Sequence, residues 1–291
     1  MPTTPDLTVA ERIRSKFEDL TRAERQLANV MLDNYPVSGL GSITAVAEAA
    51  DVSTPTVARM ARKLDFGGFP EMQAALRNEV EATISNPITK HDQWSENAPD
   101  THILNRFADA VMDNMRQTLR QMSPDDFDAV AALLSDHKRS IYVVGGRITR
   151  SLADYFFTHM QVIRDGLTLV APNANTWPHY VLNMRAGDVL VAFDIRRYEH
   201  DILRLADMAT EKGVTLVLFT DQWGSPAAKH AAHSFHCRIE APSAWDSSVV
   251  TLFVVEALLA AVQTADWAET RDRMKTLEDL FDRTKMFRKF K

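Results

Sequence analysis

Beyond residue 140 the chain alternates short apolar runs with helical stretches, and no other feature narrows its fold as far. The runs cover 140–144, 167–170, 189–193, 214–219 and 235–239. Helical segments separate them at 148–163, 177–183, 201–212 and 226–232. Strands alternating with helices predict a parallel five-stranded sheet flanked by helices on both faces. Each crossover is expected to be right-handed. The stretch 246–264 closes this unit, and 265–291 reads as a last amphipathic helix. Met274, Leu277, Leu280 and Phe281 form its apolar side, with a basic end at Arg283, Lys285, Arg288, Lys289 and Lys291.

The front of the chain has a different pattern. A first helix is expected over 9–20, and Thr21 with Glu24 forms a capping box for a second that buries Ala23, Leu27, Val30 and Met31 and stops before Pro36. Residues 42–69 read as two short helices around a corner at Asp51-Val52-Ser53. Ile43, Val46, Ala47 and Ala50 line the first of them, and Val57, Met60, Ala61 and Leu64 the second. Ser53 is placed to cap the second helix, and Pro55 falls in its first turn, where a missing N–H costs nothing. The outer face of that helix carries Thr54, Thr56, Arg59, Arg62 and Lys63, with no acid between Thr54 and Leu64. This is the layout of a helix-turn-helix whose second helix enters a DNA major groove. A plain helical bundle with a solvated cationic face fits the same pattern. Phe69-Pro70 opens one more helix through Met72, Leu76 and Val80, giving an all-α domain of about five helices over 1–84.

Residues 85–100 hold Asn86-Pro87 and Ala98-Pro99 among many polar residues, and are expected to be a linker. Trp94 within it either docks on a neighbouring surface or lies exposed. A long helix over 101–122 gathers Ile103, Leu104, Phe107, Ala108, Val111, Met115 and Leu119 on one face. Ser123-Pro124-Asp125-Asp126 then starts another, with a cap, a proline at the first turn and acids on the positive end.

A length of 291 residues suits about two domains. The net charge of −6 does not advertise nucleic-acid binding, but the face from Arg59 to Lys63 is locally positive. The one cysteine, Cys237, excludes an intrachain disulfide and a cysteine-rich zinc site and fits a reducing cytoplasm. Residues before Leu7 are expected to be disordered, and the N-terminus has no apolar core of a signal peptide. The apolar stretch 249–262 is too short to span a bilayer. His230, His233 and His236 lack a completing carboxylate and are better explained as surface and core histidines than as a metal site. No catalytic constellation is visible from spacing, and no cofactor is expected.

The front domain resembles that of the RpiR/MurR family of bacterial transcription regulators. The residues that carry the likeness are Leu20-Thr21 with Ala23-Glu24, Ser42-Ile43, Val52-Ser53, Val57, Arg59, Lys63-Leu64 and Phe66-Gly67-Gly68-Phe69. The rear domain, over 101–291, is similar to a SIS (sugar isomerase) domain, through Ala186-Gly187-Asp188-Val189, Lys212-Gly213-Val214, Phe219-Thr220-Asp221 and Ser225-Pro226-Ala227-Ala228. Ligands of open parallel sheets bind beyond the carboxyl ends of strands. Two turns there supply the candidates: Gly145, Gly146, Arg147, Thr149, Arg150 and Ser151 in the first, and Asp194, Arg196, Arg197 and Glu199 in the second. The resemblance implies a phosphosugar site, yet the residues depart from its pattern. Thr149 stands where the family has a serine, and Arg147 replaces a glycine. Asp194, Arg196, Arg197 and Glu199 take the serine, serine, glycine and threonine places of the phosphate-cradling S-x-S-G-x-T loop. Three readings stay open: an arginine clamp for a differently shaped anion, a polar or cationic ligand held by Asp194 and Glu199, and an internal ion-pair network.

The resemblance implies a cytoplasmic, DNA-binding regulator that senses a small metabolite and controls catabolic genes. Its partners would be a double-stranded DNA operator, a small-molecule effector and a second copy of the chain, as a homodimer or dimer of dimers, with no membrane. Ser53, Thr54, Thr56, Arg59, Arg62 and Lys63 are the candidate DNA contacts, with Arg59 first for a base and Arg62 and Lys63 for phosphate. The alternatives are a sugar-phosphate isomerase, with Asp194, Glu199 or His200 as base, and a regulator whose SIS domain binds nothing.

Overall fold

The computed structural model describes residues 7–96 and 102–287. The expected disorder before Leu7, Ala98-Pro99, and the basic residues Arg288, Lys289 and Lys291 lie outside the described residues.

The front unit packs α1 (Val9–Ser15), α2 (Arg22–Asp33), α3 (Ile43–Ala49), α4 (Thr54–Lys63) and α5 (Phe69–Ile84) around one apolar core. Leu27, Met31, Val57, Met60, Leu64, Met72 and Leu76 are fully enclosed in it. Thr21 and Glu24 form the expected reciprocal cap. Thr8 and Glu11 form a second that the sequence reading passed over. The expected helix over 9–20 is broken at Lys16 and continues as a 3-10 turn, Phe17–Asp19. The break aims the Lys16 ammonium at the Lys63 carbonyl and Asp65, so α1 clasps the end of α4. The corner between α3 and α4 rests on Asp51, left-handed at φ 50°, with the Val52 N–H closing on the Ala47 carbonyl at 2.9 Å.

The segment expected as a linker is largely a helix, α6 (Pro87–Glu96). The Asn86 side chain caps it, accepting the N–H groups of Ile88 and Thr89, and Pro87 takes the first turn. Trp94 is 39% exposed, so no neighbouring surface buries it.

The rear unit follows the expected alternation. After α7 (Ile103–Gln121) and α8 (Pro124–Ser135) come β1 (Ile141–Gly145), α9 (Arg150–Ile163), β2 (Leu167–Leu169), α10 (Trp177–Asn183), β3 (Val189–Phe193), α11 (His200–Glu211), β4 (Thr215–Asp221), β5 (His233–Cys237), α12 (Val249–Ala265) and α13 (Trp267–Thr284). The strands form one sheet in the order β2-β1-β3-β4-β5, every pair parallel. Phe193 stacks on Phe219 with ring centres 4.7 Å apart on the face covered by α8, α9 and α12. Trp177, Leu205 and Ala206 fill the other face. Residues 226–232 form only a 3-10 turn, Pro226–His230. The fifth strand ends at Cys237 rather than 239 because the next N–H groups leave the ladder: Arg238 donates to Thr118 Oγ1 and Ile239 to Gln222 Oε1. Among the described residues no single helix is long and apolar enough to cross a membrane.

Helix α7 turns mainly polar residues toward the rest of the chain, with Met115 its apolar contact to the core. Its polar face is the buried one: Asn114 donates to the Glu240 carbonyl, and Thr118 accepts from Arg238. Ile103, Leu104 and Leu119, expected together on one face, are exposed.

The two units meet along a polar seam. Arg238 holds Glu11 by two bonds, Nε to Oε1 at 2.7 Å and Nη2 to Oε2 at 2.5 Å, with both residues buried. Gln121 adds a third bond to Glu11, and Arg14 reaches the Gln222 carbonyl at 3.4 Å. Burial opposes ionisation of Glu11, but the Arg238 contacts outweigh it and hold the carboxyl below its ordinary range.

Candidate functional site

The outer face of α4 carries Arg59 and Arg62, both exposed. Three expectations for this helix are corrected. Ser53 occupies the N-cap position, but its hydroxyl bonds the Thr56 hydroxyl at 2.9 Å instead of a backbone N–H. Thr56 is 4% exposed and also accepts from Arg59 Nη2 at 3.0 Å, so it orients that arginine rather than facing a base. The Lys63 ammonium is spent on Glu24 Oε2 at 2.7 Å and the Asp19 carbonyl at 2.9 Å. These bonds tie α4 to the cap of α2 and leave Arg62 as the outward phosphate candidate.

The second site lies where the strand order reverses, between β1 and β3. A cavity of about 820 Å³ opens beyond the carboxyl ends of these strands. Arg147, Thr149, Asp194, Arg196, Arg197 and Glu199 line it as the sequence reading expected. Four other candidates do not. Gly145 is enclosed, and a Cβ there would stand 2.5 Å from the Thr149 carbonyl oxygen. Gly146 lies under the Glu199 carboxylate. Arg150 turns away to Asp154 at 2.7 Å, and the Ser151 hydroxyl donates to the Ile148 carbonyl.

The turn after β3 is held from below. Asp194 accepts the Glu199 N–H at 3.2 Å with one oxygen and the Ser225 hydroxyl with the other. Burial pushes its carboxyl up to about 7, against those two bonds. Asp221, fully buried, accepts the Arg196 N–H at 2.8 Å and the Tyr198 hydroxyl at 2.8 Å. Asp194 thus shapes the turn, but through Ser225 and the Glu199 N–H and not through an ion pair with the arginines. Arg196 is tied down by a different carboxylate. Its guanidinium binds both oxygens of Asp246, donates to the Ala82 carbonyl at 2.7 Å and lies 4.7 Å over the Trp223 ring. Arg147 and Arg197 differ: both are exposed at the cavity rim, and neither side chain has a hydrogen-bond or ion-pair partner among the described residues.

The cavity has a wall that the sequence reading missed. Ser85, Asn86, Pro87 and Lys90, from the junction of α5 and α6, line it together with Trp245 and Asp246. Lys90 shares Asp246 with Arg196. Trp177 and Tyr180, at the start of α10, belong to the core: the Trp177 indole donates to the Ala171 carbonyl, and neither lines the cavity. The three histidines lie apart in role, with His233 facing Asp126, His236 on the Asp221 carbonyl and His230 beside Asp207.

Comparison with known proteins agrees with this architecture. The family "Helix-turn-helix domain, rpiR family" matches residues 7–83, and "SIS domain" matches 133–261. The chain is 24% identical over 283 residues to the HTH-type transcriptional regulator HexR of Pseudomonas aeruginosa, covering 92% of this chain and 94% of that one. HexR of Escherichia coli is also 24% identical, over 285 residues, with 94% of each covered. In fold it is similar to the sugar isomerase domain of an RpiR transcription factor from Sphaerobacter thermophilus (TM-score 0.58, 21% identity, 62% of this chain and 99% of that one). It is similar as well to Vibrio vulnificus NanR, solved in complex with ManNAc-6P (TM-score 0.52, 16% identity, 95% of this chain and 99% of that one). With both domains present in this order, the chain belongs to the RpiR family of helix-turn-helix regulators that carry a SIS domain.

Proposed function

We propose that the protein is a transcription regulator that grips double-stranded operator DNA through α4 and adjusts that grip by binding an anionic sugar derivative in the cavity between β1 and β3. One observation carries this reading. The cavity is walled on one side by the α5–α6 junction, the segment that joins the DNA-reading unit to the sheet. An occupant that fills the cavity touches both units. Arg147 and Arg197 stand at its rim, while Lys90 and Arg196 are the enclosed cations of its lining, both bound to Asp246. An anion that draws on them competes with that carboxylate and loosens the hold of Arg196 on the Ala82 carbonyl. Such a ligand acts through its different affinity for the two arrangements, and DNA alters the ligand's affinity by the same factor.

NanR, similar in fold, holds a sugar phosphate, and the HexR relatives are named regulators. Arg59 takes the base contact, Thr54 and Ser53 flank it, and Arg62 takes phosphate. The non-enzymatic reading is supported by the side chain of Asp194, whose oxygens are both held by the chain's own donors, and by His200, which does not line the cavity. We place a homodimer contact on the exposed apolar stripe of α7, in a cytoplasmic protein with a domain boundary at the α5–α6 junction.

The test is fluorescence anisotropy of the full chain on its own upstream DNA, at low and near-physiological salt, with a panel of anionic sugar derivatives. A specific complex that survives the higher salt, and whose affinity one compound shifts by at least about fivefold, supports the reading. Sequence-indifferent binding that vanishes with salt contradicts it.

A further inference from the structure

The turn from β1 into α9 is a natural anion seat. Glycines bring its backbone close, and the Gly146 and Arg147 N–H groups lie just ahead of the positive end of α9, whose own first N–H groups are bonded to the Gly146, Ile148 and Thr149 carbonyls. In this chain the seat is taken. Glu199 Oε1 accepts the Arg147 N–H at 2.7 Å. Its carboxylate presses so closely on Gly146 that a Cβ there would stand 2.4 Å from the same oxygen. The Gly146 N–H is spent on Thr149 Oγ1 at 2.8 Å, and the Thr149 hydroxyl is anchored on the Phe193 carbonyl at 2.7 Å. Glu199 is also the N-cap residue of α11, with its own N–H on Asp194. Its carboxylate therefore sits between the N-terminal ends of two helices, α9 and α11.

The rest of the cavity's charge is distributed accordingly. Lys90 and Arg196 share Asp246. The groups left facing the opening are Arg147 and Arg197, against Glu199. Across the whole lining four cations, Lys90, Arg147, Arg196 and Arg197, stand against three carboxylates, Asp194, Glu199 and Asp246, an excess that suits a ligand with a single negative charge. A carboxylate matches the planar fork of a guanidinium, and either arginine can take it by two parallel bonds. A phosphate dianion seeking the same N–H groups meets the Glu199 carboxylate, and the repulsion grows with the product of the charges.

We propose that Glu199 is a built-in occupant of the anion seat, and that it makes the cavity select unphosphorylated sugar acids, held by Arg147 and Arg197, over sugar phosphates. This rests on the reading of the cavity as an effector site.

The test is calorimetric titration of the full chain with D-gluconate, glucose 6-phosphate and inorganic phosphate, on the wild type, Glu199→Gln and Glu199→Ser. The glutamine keeps the size of the side chain and loses its charge, and the serine empties the seat. Thermal melting verifies that each variant is folded. In the expected result, wild type binds gluconate at least about tenfold more tightly than glucose 6-phosphate, and both variants gain at least about tenfold toward glucose 6-phosphate and inorganic phosphate. A wild type that prefers glucose 6-phosphate, or folded variants whose phosphate affinity does not move, overturns the role of Glu199 while leaving the effector site standing. No binding of any probe to any form overturns the effector-site reading and this inference together.

Discussion

Replacing Asp246 with alanine strips the counter-charge from two enclosed cations at once. The side chains of Lys90 and Arg196 are 6% and 4% exposed, and Asp246 itself is 23% exposed. Removing one partner of a buried ion pair costs about 3–5 kcal/mol, because the other charge stays in the interior unpaired. Water reaches Asp246 from the cavity, and Arg196 keeps the Ala82 carbonyl and the Trp223 ring, so the low end, roughly 3 kcal/mol, is expected. Lys90→Met alone leaves Asp246 paired with Arg196 and is expected to cost less, about 1 kcal/mol. The informative variant is the double one. With Asp246 gone, Lys90 keeps only the more distant Glu240 as counter-charge, so Lys90→Met in the Asp246→Ala background recovers part of the loss. Urea unfolding of the full chain, followed by tryptophan fluorescence, reads all four proteins. Losses that simply add, or an Asp246→Ala cost under about 1 kcal/mol, refute the shared-counter-ion account.

Three other outcomes are expected. Burial pushes the Glu79 carboxyl from its ordinary 4.5 to about 7, so the folded protein binds a proton that the unfolded chain releases. The contribution of Glu79 to stability is then greatest at low pH and is lost as pH rises through this window, so Glu79→Gln removes that loss between about pH 5 and about pH 8 in thermal melts; an unchanged slope speaks against it. Arg59→Ala costs about 1–3 kcal/mol on the specific operator and relaxes its sequence preference, while Arg62→Ala weakens binding to all sequences alike, both measured by anisotropy. Leu104→Glu with Leu119→Glu, on the outward face of α7, converts a dimer to a monomer in light scattering; a mass unchanged from wild type removes α7 from the interface.

Much of the fold was legible because burial writes itself into composition. β3 and α10 fall at the expected residues, since a strand enclosed on both faces is a continuous apolar run. α6 was missed because its composition is polar, although Asn86-Pro87 was a legible cap and first turn. The strand-end turns of the cavity were found from topology, and their acids were flagged as misfits for a phosphate cradle. Which acid points where was not legible: Asp194 faces down into its own turn, and Glu199 reaches across to the neighbouring one. The far wall left no local mark either, since Lys90 and Asp246 are 156 residues apart and meet only through tertiary packing. Lys63 misled because a cation on an outward face looks the same whether it waits for phosphate or bonds Glu24.

The bond between Glu11 and Arg238 joins residues 227 apart, one in the first helix of the chain and one just past the last strand. Cutting the protein between its two units, the customary way to study a reader and a sensor separately, severs this pair in both fragments. Each piece would expose a surface built to be covered, with a charge whose partner left on the other piece. Fragments of this chain are therefore poor stand-ins for the whole, and an isolated reader that fails to bind DNA says nothing about the reader in place.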